Sequence, residues 1–333
     1  MSTVSVLEPK KRFSEGLTGY HYLVLVVACL GWSFDTMDQW LFVFAKQHAI
    51  TELLGALAQE PGMVVKYTNF ATAALMIGWA VGGIFFGIIG DRLGRTKTMA
   101  ITILLYALFT GLSGIAKNVD QFIAYRFLMG LGVGGEFAAG AALVAEAFPA
   151  HARATALSIV QATSALGNIA AAGINWWFAQ AELNWRLLFF VGVIPALLVV
   201  IIFFFIHEPE AWVQARAEAK QGKGAKNTSL TAFFYEPILR RNIIIGMLLA
   251  AVGVIGFWGV GVLTPELLRG VLNPAKDPSL TKAVEMQVSI AGIMQNAGSF
   301  LGALCFAYVA QRFGRRIGFL VAFIGCIIMV PIT

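Results

Sequence analysis

Charged residues are scarce in this 333-residue chain, at 13% of the sequence, whereas apolar residues make up 58%. Soluble domains contain about 25% charged and about 45–50% apolar residues. A soluble chain of this length has too small an interior for that much apolar surface, and the apolar residues come in blocks of about 20, the length of a membrane-crossing helix. The shortage of charge therefore excludes a soluble fold and indicates an all-α polytopic membrane protein.

Cysteine and histidine are also few. The cysteines lie inside apolar blocks, at Cys29, Cys305 and Cys326. The histidines lie at block ends, at His21, His48, His151 and His207. Neither set has the spacing of a zinc site or a disulfide framework, and no catalytic nucleophile or phosphate-binding loop accompanies them. We therefore expect no enzyme activity, no metal and no cofactor.

The apolar blocks are bounded by charged residues or by proline and glycine clusters, and they predict about nine membrane-spanning helices. These lie near 21–45, 68–90, 97–116, 121–147, 155–180, 186–206, 241–264, 286–310 and 317–333. Glycines recur inside the second span, at Gly78, Gly82, Gly83 and Gly87. Small residues let membrane helices approach closely, so these glycines predict packed helix faces.

Basic residues are concentrated in alternate connections, which predicts that the N-terminus and the segment 207–240 are cytoplasmic. The first span follows Lys10, Lys11 and Arg12 and is too long for a cleaved signal, so it is interpreted as a signal anchor. The net charge of +6 reflects this topological bias and requires no nucleic-acid partner.

An internal repeat relates the segments 78–95 and 298–315 at a constant offset of 220 residues, pairing Gly78 with Gly298 and Arg95 with Arg315. Such a repeat implies two homologous halves. We assign 1–206 to an N-terminal six-helix bundle, 207–240 to a cytoplasmic linker, and 241–333 to a C-terminal bundle with about three helices. By symmetry the second bundle should have six, so about nine of twelve helices are present and we expect a C-terminal truncation.

Three motifs carry a family resemblance. The connection after the second span reads GIIGDRLGRTK from Gly87 to Lys97, and a weaker QRFGRR echo follows the eighth span. The fourth span reads RFLMGLGVGGE from Arg126 to Glu136, and it ends in EAFPAHAR from Glu146 to Arg153. Together they resemble the major facilitator superfamily, in particular its branch of proton symporters for metabolites, organic acids and sialate, with sugar-porter-like motifs. The resemblance implies two pseudo-symmetric six-helix bundles, the second incomplete here.

The cytoplasmic motifs have the composition of a conformational latch, because a carboxylate can pair with neighbouring arginines in one state and release them in another. The alternative is that the basic residues only enforce topology. The predicted cytoplasmic gate consists of Gly87, Asp91, Arg92, Gly94, Arg95, Glu146, Arg153, Arg312, Arg315 and Arg316.

Charges within the spans are costly in lipid and indicate function. Asp35 and Asp38, three residues apart, share one face of the first span, and Asp35 and Arg126 lie at similar predicted depths. The resemblance implies proton coupling through a first-helix aspartate and a fourth-helix arginine, here Asp35 and Arg126, with Asp38 and Glu136 as alternates. A static ion pair that holds two helices together is the other interpretation.

Polar and aromatic side chains inside the spans predict a substrate cavity. Its candidates are Trp32, Gln39, Gln161, Ser164, Asn168, Asn175, Trp258, Gln295 and Asn296. Gln161, Asn168 and Asn175 recur at seven-residue steps and share one helix face. They are equally suited to hydrogen-bonding a solute or a neighbouring helix.

The sequence thus predicts a multi-pass protein of the plasma (inner) membrane of a bacterium, monomeric, whose partners are a small-molecule substrate, protons and the lipid bilayer. We expect secondary transport of an organic acid, sialic acid or sugar-like metabolite by proton symport with alternating access. The alternatives are a facilitator or exchanger without proton coupling, or a non-transporting sensor or inactive truncated paralogue.

Overall fold

The computed structural model describes residues 13–221, 236–274 and 277–329, and within these ranges the regular elements are all helical. The α-helices are α1 Gly19–Leu54, α2 Met63–Leu93, α3 Arg95–Gly114, α4 Val119–Ala147, α5 Ala150–Ala181, α6 Trp185–Val191, α7 Ala196–Phe205, α8 Glu210–Lys220, α9 Pro237–Leu272, α10 Pro278–Phe313 and α11 Arg315–Met329. A 3-10 helix, Gly55–Gln59, follows α1.

Each predicted span overlaps one helix, apart from the sixth, which is divided into α6 and α7. The break lies at residues 192–195, and Pro195 immediately precedes the first residue of α7. Proline lacks an N–H donor and its ring clashes with the carbonyl four residues earlier, so a regular helix cannot continue through it. The helix expected in the linker forms as α8.

Five segments of the described chain have the length and hydropathy to cross a membrane: α2, α3, α4, α5 and residues 185–205. The first helix falls short of that hydropathy because its centre carries Asp35, Asp38 and Gln39. At 36 residues, α1 is about 54 Å long, well beyond the ~30 Å of a hydrocarbon layer. Its C-terminal turns therefore extend past the predicted span 21–45.

The helices α1–α7 form one bundle in which α4 is central, because α4 contacts α1, α2, α3 and α5. The fully buried side chains are concentrated in this bundle. From the second half, α10 packs against α5 and against its neighbours α9 and α11. We call the end of the bundle where α2 meets α3 the Asp91 end, and the opposite end, where α1 finishes, the Glu52 end.

Glycine contacts set the spacing of α2 and α4. A Cβ added at Gly78 or Gly82 would strike the backbone oxygen of Phe127 or Leu131, and one at Gly134 would strike the Trp79 oxygen. The prediction of packed glycine faces is correct for these residues. It is wrong for Gly87, where an added Cβ meets nothing within 4 Å. Gly87 lies on a different side of the helix from Gly78 and Gly82, so it faces away from α4.

We expect Gly82→Ala to lower the apparent melting temperature of the detergent-purified protein, because overpacking a close helix contact costs about 1–3 kcal/mol. Gly87→Ala on the same helix is the matched control and should leave the melting temperature unchanged, since the new methyl group meets open space. Equal melting temperatures for the two variants would contradict the contact.

Candidate functional site

Four charged side chains predicted to act in proton coupling are buried within the first bundle. Asp35 and Asp38 on α1, and Arg126 and Glu136 on α4, are each at most 1% exposed. Isolated charges cost several kcal/mol inside a bilayer, so they persist only where they are paired, hydrated or functional. The structure brings three carboxyl groups and one guanidinium group to the α1, α3 and α4 side of the bundle.

Arg126 does not form the expected ion pair with Asp35. Its guanidinium donates to the Ser113 hydroxyl and, at 3.4 Å, to the Phe109 carbonyl, both on α3. Rise per residue gives depth along a helix but not direction around it, and the Arg126 side chain is directed toward α3. Three aromatic rings enclose the guanidinium at 4.8–5.5 Å from its carbon atom: Phe42, Phe122 and Phe189.

Asp38 is the carboxylate that interacts electrostatically with Arg126. One of its oxygens accepts a 2.8 Å hydrogen bond from Thr110 on α3. The carboxylate also lies against Gly192, where an added Cβ would strike it, so the helix break before Pro195 makes room for this side chain. Asp38 is therefore held by α3 and by the α6–α7 junction.

Asp35 and Glu136 are less completely satisfied. Both carboxylate oxygens of Asp35 and the Oε2 atom of Glu136 are buried without a hydrogen-bond partner among the described residues. The other Glu136 oxygen lies against Gly31 of α1, at a point where a Cβ would collide with it. Unsatisfied buried acceptors are costly and mark positions where a proton, a water molecule or a solute group can bind.

A cavity of about 260 Å³ lies between α1, α4 and α5. It contains three of the predicted functional residues, Trp32, Glu136 and Gln161. The indole N–H of Trp32 is buried without an acceptor among the described residues, as Glu136 Oε2 is without a donor. The remaining lining is apolar: Ala28, Phe137, Gly140, Ala141, Leu157 and Val160. Such a site offers the Trp32 donor, the Glu136 acceptor and the Gln161 amide in an otherwise apolar wall, as small-molecule sites do.

Gln161, Asn168 and Asn175 form a polar stripe along one face of α5, and two members of this stripe are used in a helix contact. Asn168 donates to the Asn296 side chain at 2.7 Å, and Asn175 donates to Ser289 at 2.9 Å. These buried bonds join α5 to α10, which favours the helix-packing interpretation for Asn168, Asn175 and Asn296. The third member, Gln161, is exposed and lines the cavity.

The other substrate-cavity candidates are dispersed. Ser164 donates to the Gln161 carbonyl of its own helix at 2.8 Å. Gln39 is 2% exposed, with its amide nitrogen unpartnered, and the Gln295 amide oxygen is likewise buried without a partner among the described residues. The side chains of Trp258 and Arg315 lie outside the described residues.

At the Asp91 end, one arginine joins two carboxylates. Arg95 forms ion pairs with Asp91 at 2.7 Å and with Glu146 at 2.8 Å, which ties α2, α3 and α4 together. The other predicted basic residues of this end that the structure describes are exposed: Arg92, Arg153, Arg312 and Arg316. Gly94 has a φ of 115°, in the region that favours glycine, and forms the tight turn between α2 and α3.

Glu208, in the linker, was not identified from the sequence. Its carboxylate accepts from the backbone N–H groups of Arg95, Thr96 and Lys97 at 2.7, 3.3 and 3.4 Å, and thus caps the N-terminus of α3. A Cβ at Gly94 would strike this carboxylate, so glycine is required there for approach as well as for backbone conformation. The sequence signal is an acidic residue immediately after the sixth span.

A charged cluster at the Glu52 end was also missed. Arg269 of α9 pairs bidentately with Glu285 of α10 at 2.8 and 3.0 Å, and it donates to the Phe44 carbonyl of α1 at 2.9 Å. Glu266 lies 3.6 Å from Arg269 and 3.9 Å from Lys46 of α1. The cluster therefore joins α1 of the first bundle to α9 and α10 of the second half. Neither Lys46 nor Arg269 is among the site residues predicted from the sequence.

The same cluster borders a cavity of about 650 Å³. Most of its lining residues have polar side chains, and the set consists of Gln47, His48, Thr51, Glu52, Trp185, Glu266, Arg269, Gly270, Asn273, Pro274, Thr281, Val284 and Glu285. Arg126, a buried cation of the first bundle, does not line this cavity and is enclosed by aromatic rings. Arg269 is the cation that lines this larger cavity.

Comparison with known proteins gives consistent matches. The family model described as Major Facilitator Superfamily matches residues 22–333. The chain is 32% identical over 82% of its length to a cis,cis-muconate transport protein of Acinetobacter baylyi and 30% identical over 90% to the sialic acid transporter NanX of Escherichia coli. It spans 62% and 67% of the lengths of these relatives.

Among solved structures, the chain is similar in fold to the partially occluded, inward-open xylose transporter XylE from E. coli. The TM-score is 0.65, the identity is 19%, and the match covers 89% of this chain and 74% of XylE.

We expect Arg269→Gln to lower the apparent melting temperature strongly, because breaking a buried ion pair leaves Glu285 without its counter-charge and costs about 3–5 kcal/mol. The matched control is Lys282→Gln on the same helix as Glu285. Lys282 pairs with Glu182 at 3.3 Å, but both side chains are exposed, so its loss should cost about 0–1 kcal/mol. Equal losses in the two variants would show that the Arg269 cluster adds no stability.

Proposed function

From the premise that this chain belongs to the Major Facilitator Superfamily, we propose that it is a secondary transporter that takes up a small organic acid together with protons by alternating access. It acts as an integral protein of a bacterial inner membrane, with its N-terminus and Asp91 end in the cytoplasm. The family match and the relatives confirm the resemblance carried by the sequence motifs.

The observation that carries the proposal is the buried set Asp35, Asp38, Arg126 and Glu136. Three carboxyl groups and one guanidinium group leave an excess of potential negative charge in a low-dielectric interior. Protonation removes that excess, and charge repulsion and desolvation both favour it. A static structural pair would need one carboxylate for the arginine, whereas this bundle holds three.

An acidic solute is favoured by the relatives, and each cavity contains a group that can donate to a carboxylate. The two relatives are named for muconate and sialic acid, both organic acids. In this chain, Arg269 lines the larger cavity. Three carboxylates line it as well, those of Glu52, Glu266 and Glu285. The Trp32 N–H of the smaller cavity has no acceptor among the described residues. Guanidinium and indole N–H groups can donate to a carboxylate. The volumes of the cavities suit a small metabolite.

Alternating access is supported by the different connections at the two ends. At the Glu52 end, the Arg269 cluster links the first bundle to α9 and α10. At the Asp91 end, the ion pairs of Arg95 remain within the first bundle, and Glu208 adds only the linker. The bundles are thus tied at the Glu52 end, as an inward-facing state requires, and the Arg95 network is available to change partners in the opposite state.

The test of coupling is Asp38→Asn in the full-length protein, as its gene encodes it, in membrane vesicles. We expect the parent to accumulate cis,cis-muconate or sialic acid when the outside is acidic. The variant should lose about tenfold or more of that accumulation, because the amide cannot take up a proton while its shape is retained. Radiolabelled uptake at two external pH values measures the effect.

Asp120→Asn is the matched control, since Asp120 is exposed in the first turn of α4. It should accumulate the solute as the parent does. Uptake that is independent of pH in the parent, or unchanged in Asp38→Asn, would sink proton coupling and favour a facilitator or exchanger.

A further inference from the structure

A file of buried polar side chains follows one face of α3. Thr98, Thr102, Tyr106 and Thr110 recur every four residues, and each is fully buried. Ser113 continues the face toward the Glu52 end and is also fully buried. Four-residue steps keep side chains on one side of a helix, and the distance from Thr98 to Ser113 is about 22 Å. The file therefore crosses most of a hydrocarbon layer inside the bundle.

Tyr106 lies at the centre of this file. One turn toward the Glu52 end, Thr110 donates to Asp38. One turn toward the Asp91 end, Thr102 lies against Gly135, the neighbour of Glu136, so that a Cβ at Gly135 would strike it. Tyr106 thus occupies the level between the Asp38 carboxylate and the Glu136 carboxylate.

The Tyr106 side chain lies at the level of these carboxylates, and its hydroxyl is not used in another described contact. Its hydroxyl is buried and has no hydrogen-bond partner among the described residues. Three acidic groups act on it electrostatically: Asp35 and Asp38 from α1, and Glu136 from α4. Two other elements contribute to this region. Arg126 of α4 donates to Ser113 at the Glu52 end of the file. The junction of α6 and α7 contributes Gly192.

Packing leaves Tyr106 little freedom to turn away. A Cβ at Gly132 of α4 would strike the Tyr106 backbone nitrogen and its Cβ, so α3 and α4 are in close contact at this level. A buried tyrosine hydroxyl normally finds a partner, and an unpartnered one surrounded by carboxyl groups is a costly arrangement. The cost of burying the unpartnered hydroxyl is understandable if its hydrogen-bond partner is present only transiently.

We infer that Tyr106 is a proton-relay residue that connects the aspartates of α1 with Glu136 of α4. The inference rests on the proposed function, because it assigns a route to the proton in the same transport cycle. Tyr106 acts on the proton rather than on the solute, since it does not line any of the cavities described above.

The relay step conserves protons. A protonated aspartate on α1 gives its proton to the Tyr106 oxygen while the Tyr106 hydroxyl gives its own proton to the Glu136 carboxylate, directly or through a bridging water molecule. The aspartate becomes a carboxylate, Glu136 becomes a carboxylic acid, and the phenol is neutral before and after. Rotation of the hydroxyl then restores the starting orientation.

The test compares proton-driven accumulation with solute exchange in the full-length protein as its gene encodes it. The probe is whichever of cis,cis-muconate, sialic acid and D-xylose the parent accumulates most under an acid-outside gradient. Exchange is measured as counterflow without a pH gradient, which requires the solute path but no net proton movement. The variant is Tyr106→Phe, which removes one oxygen and retains the ring.

We expect Tyr106→Phe to lower proton-driven accumulation by about tenfold or more, while counterflow falls far less. The matched control is Tyr125→Phe on α4, whose ring packs against Phe109 outside the acidic set, and it should behave as the parent in both assays. If Tyr106→Phe does not reach the membrane, Asp35→Asn, at the donor end of the step and outside the lining of both cavities, should show the same split.

Other outcomes overturn the inference. Equal accumulation by Tyr106→Phe and a proton-coupled parent removes the relay and leaves the proposed function standing. Equal loss of accumulation and counterflow assigns the hydroxyl to folding or to the solute path. A parent that accumulates none of the three solutes under the gradient overturns the proposed function and the relay with it.

Discussion

The cost of polar groups in lipid governs this structure. An unsatisfied charge or hydrogen-bonding group inside a bilayer costs several kcal/mol, so almost every one must be buried among protein groups. The first bundle gathers Asp35, Asp38, Arg126 and Glu136 with the hydroxyls of α3 in one interior region, away from the apolar surfaces of α2 and α7. Exposed large hydrophobic side chains cover those outer surfaces, for example Ile84 on α2 and Phe203 on α7.

Close helix packing makes that interior possible. Gly78 of α2 meets Gly130 of α4 at backbone distance, Gly82 meets Leu131, and Gly134 meets Trp79. Gly132 gives the same proximity between α4 and α3. The glycine pattern of the fourth span, which first identified the family motif, is thus also what holds α4 at the centre of the bundle. A bundle with larger residues there would separate α3 from α1 and leave its polar groups apart.

The sequence predicted the elements well because the span-length signal is strong in lipid. Nine apolar blocks mark the positions of the long helices, and the motif residues Asp91, Arg95 and Glu146 are found together at the expected end. The predicted depth of a side chain along its helix could not identify the side chain with which it interacts. Asp35 and Arg126 lie at similar depths, but the direction of Arg126 around its helix selects Ser113 and the Asp38 side of α1.

Contacts between distant segments were the least predictable part. Glu208 reaches the N-terminus of α3 across more than a hundred residues, and Arg269 reaches Phe44 across more than two hundred. Neither contact leaves a periodic pattern in the sequence, because each depends on how whole helices are placed. The stripe on α5 was ambiguous for a related reason, since Asn168 and Gln161 share a face but only Asn168 meets α10.

Glu136 is the residue at which the proposed proton route would meet the solute. Its carboxylate faces the polar region of α1 and α3, and among the members of the proposed relay it is the one that lines the 260 Å³ cavity with Trp32. Charge on Glu136 would repel an acidic solute from that cavity, and protonation would remove the repulsion and supply a donor. Under the proposed function, proton loading and acid binding would then be coupled at this one side chain.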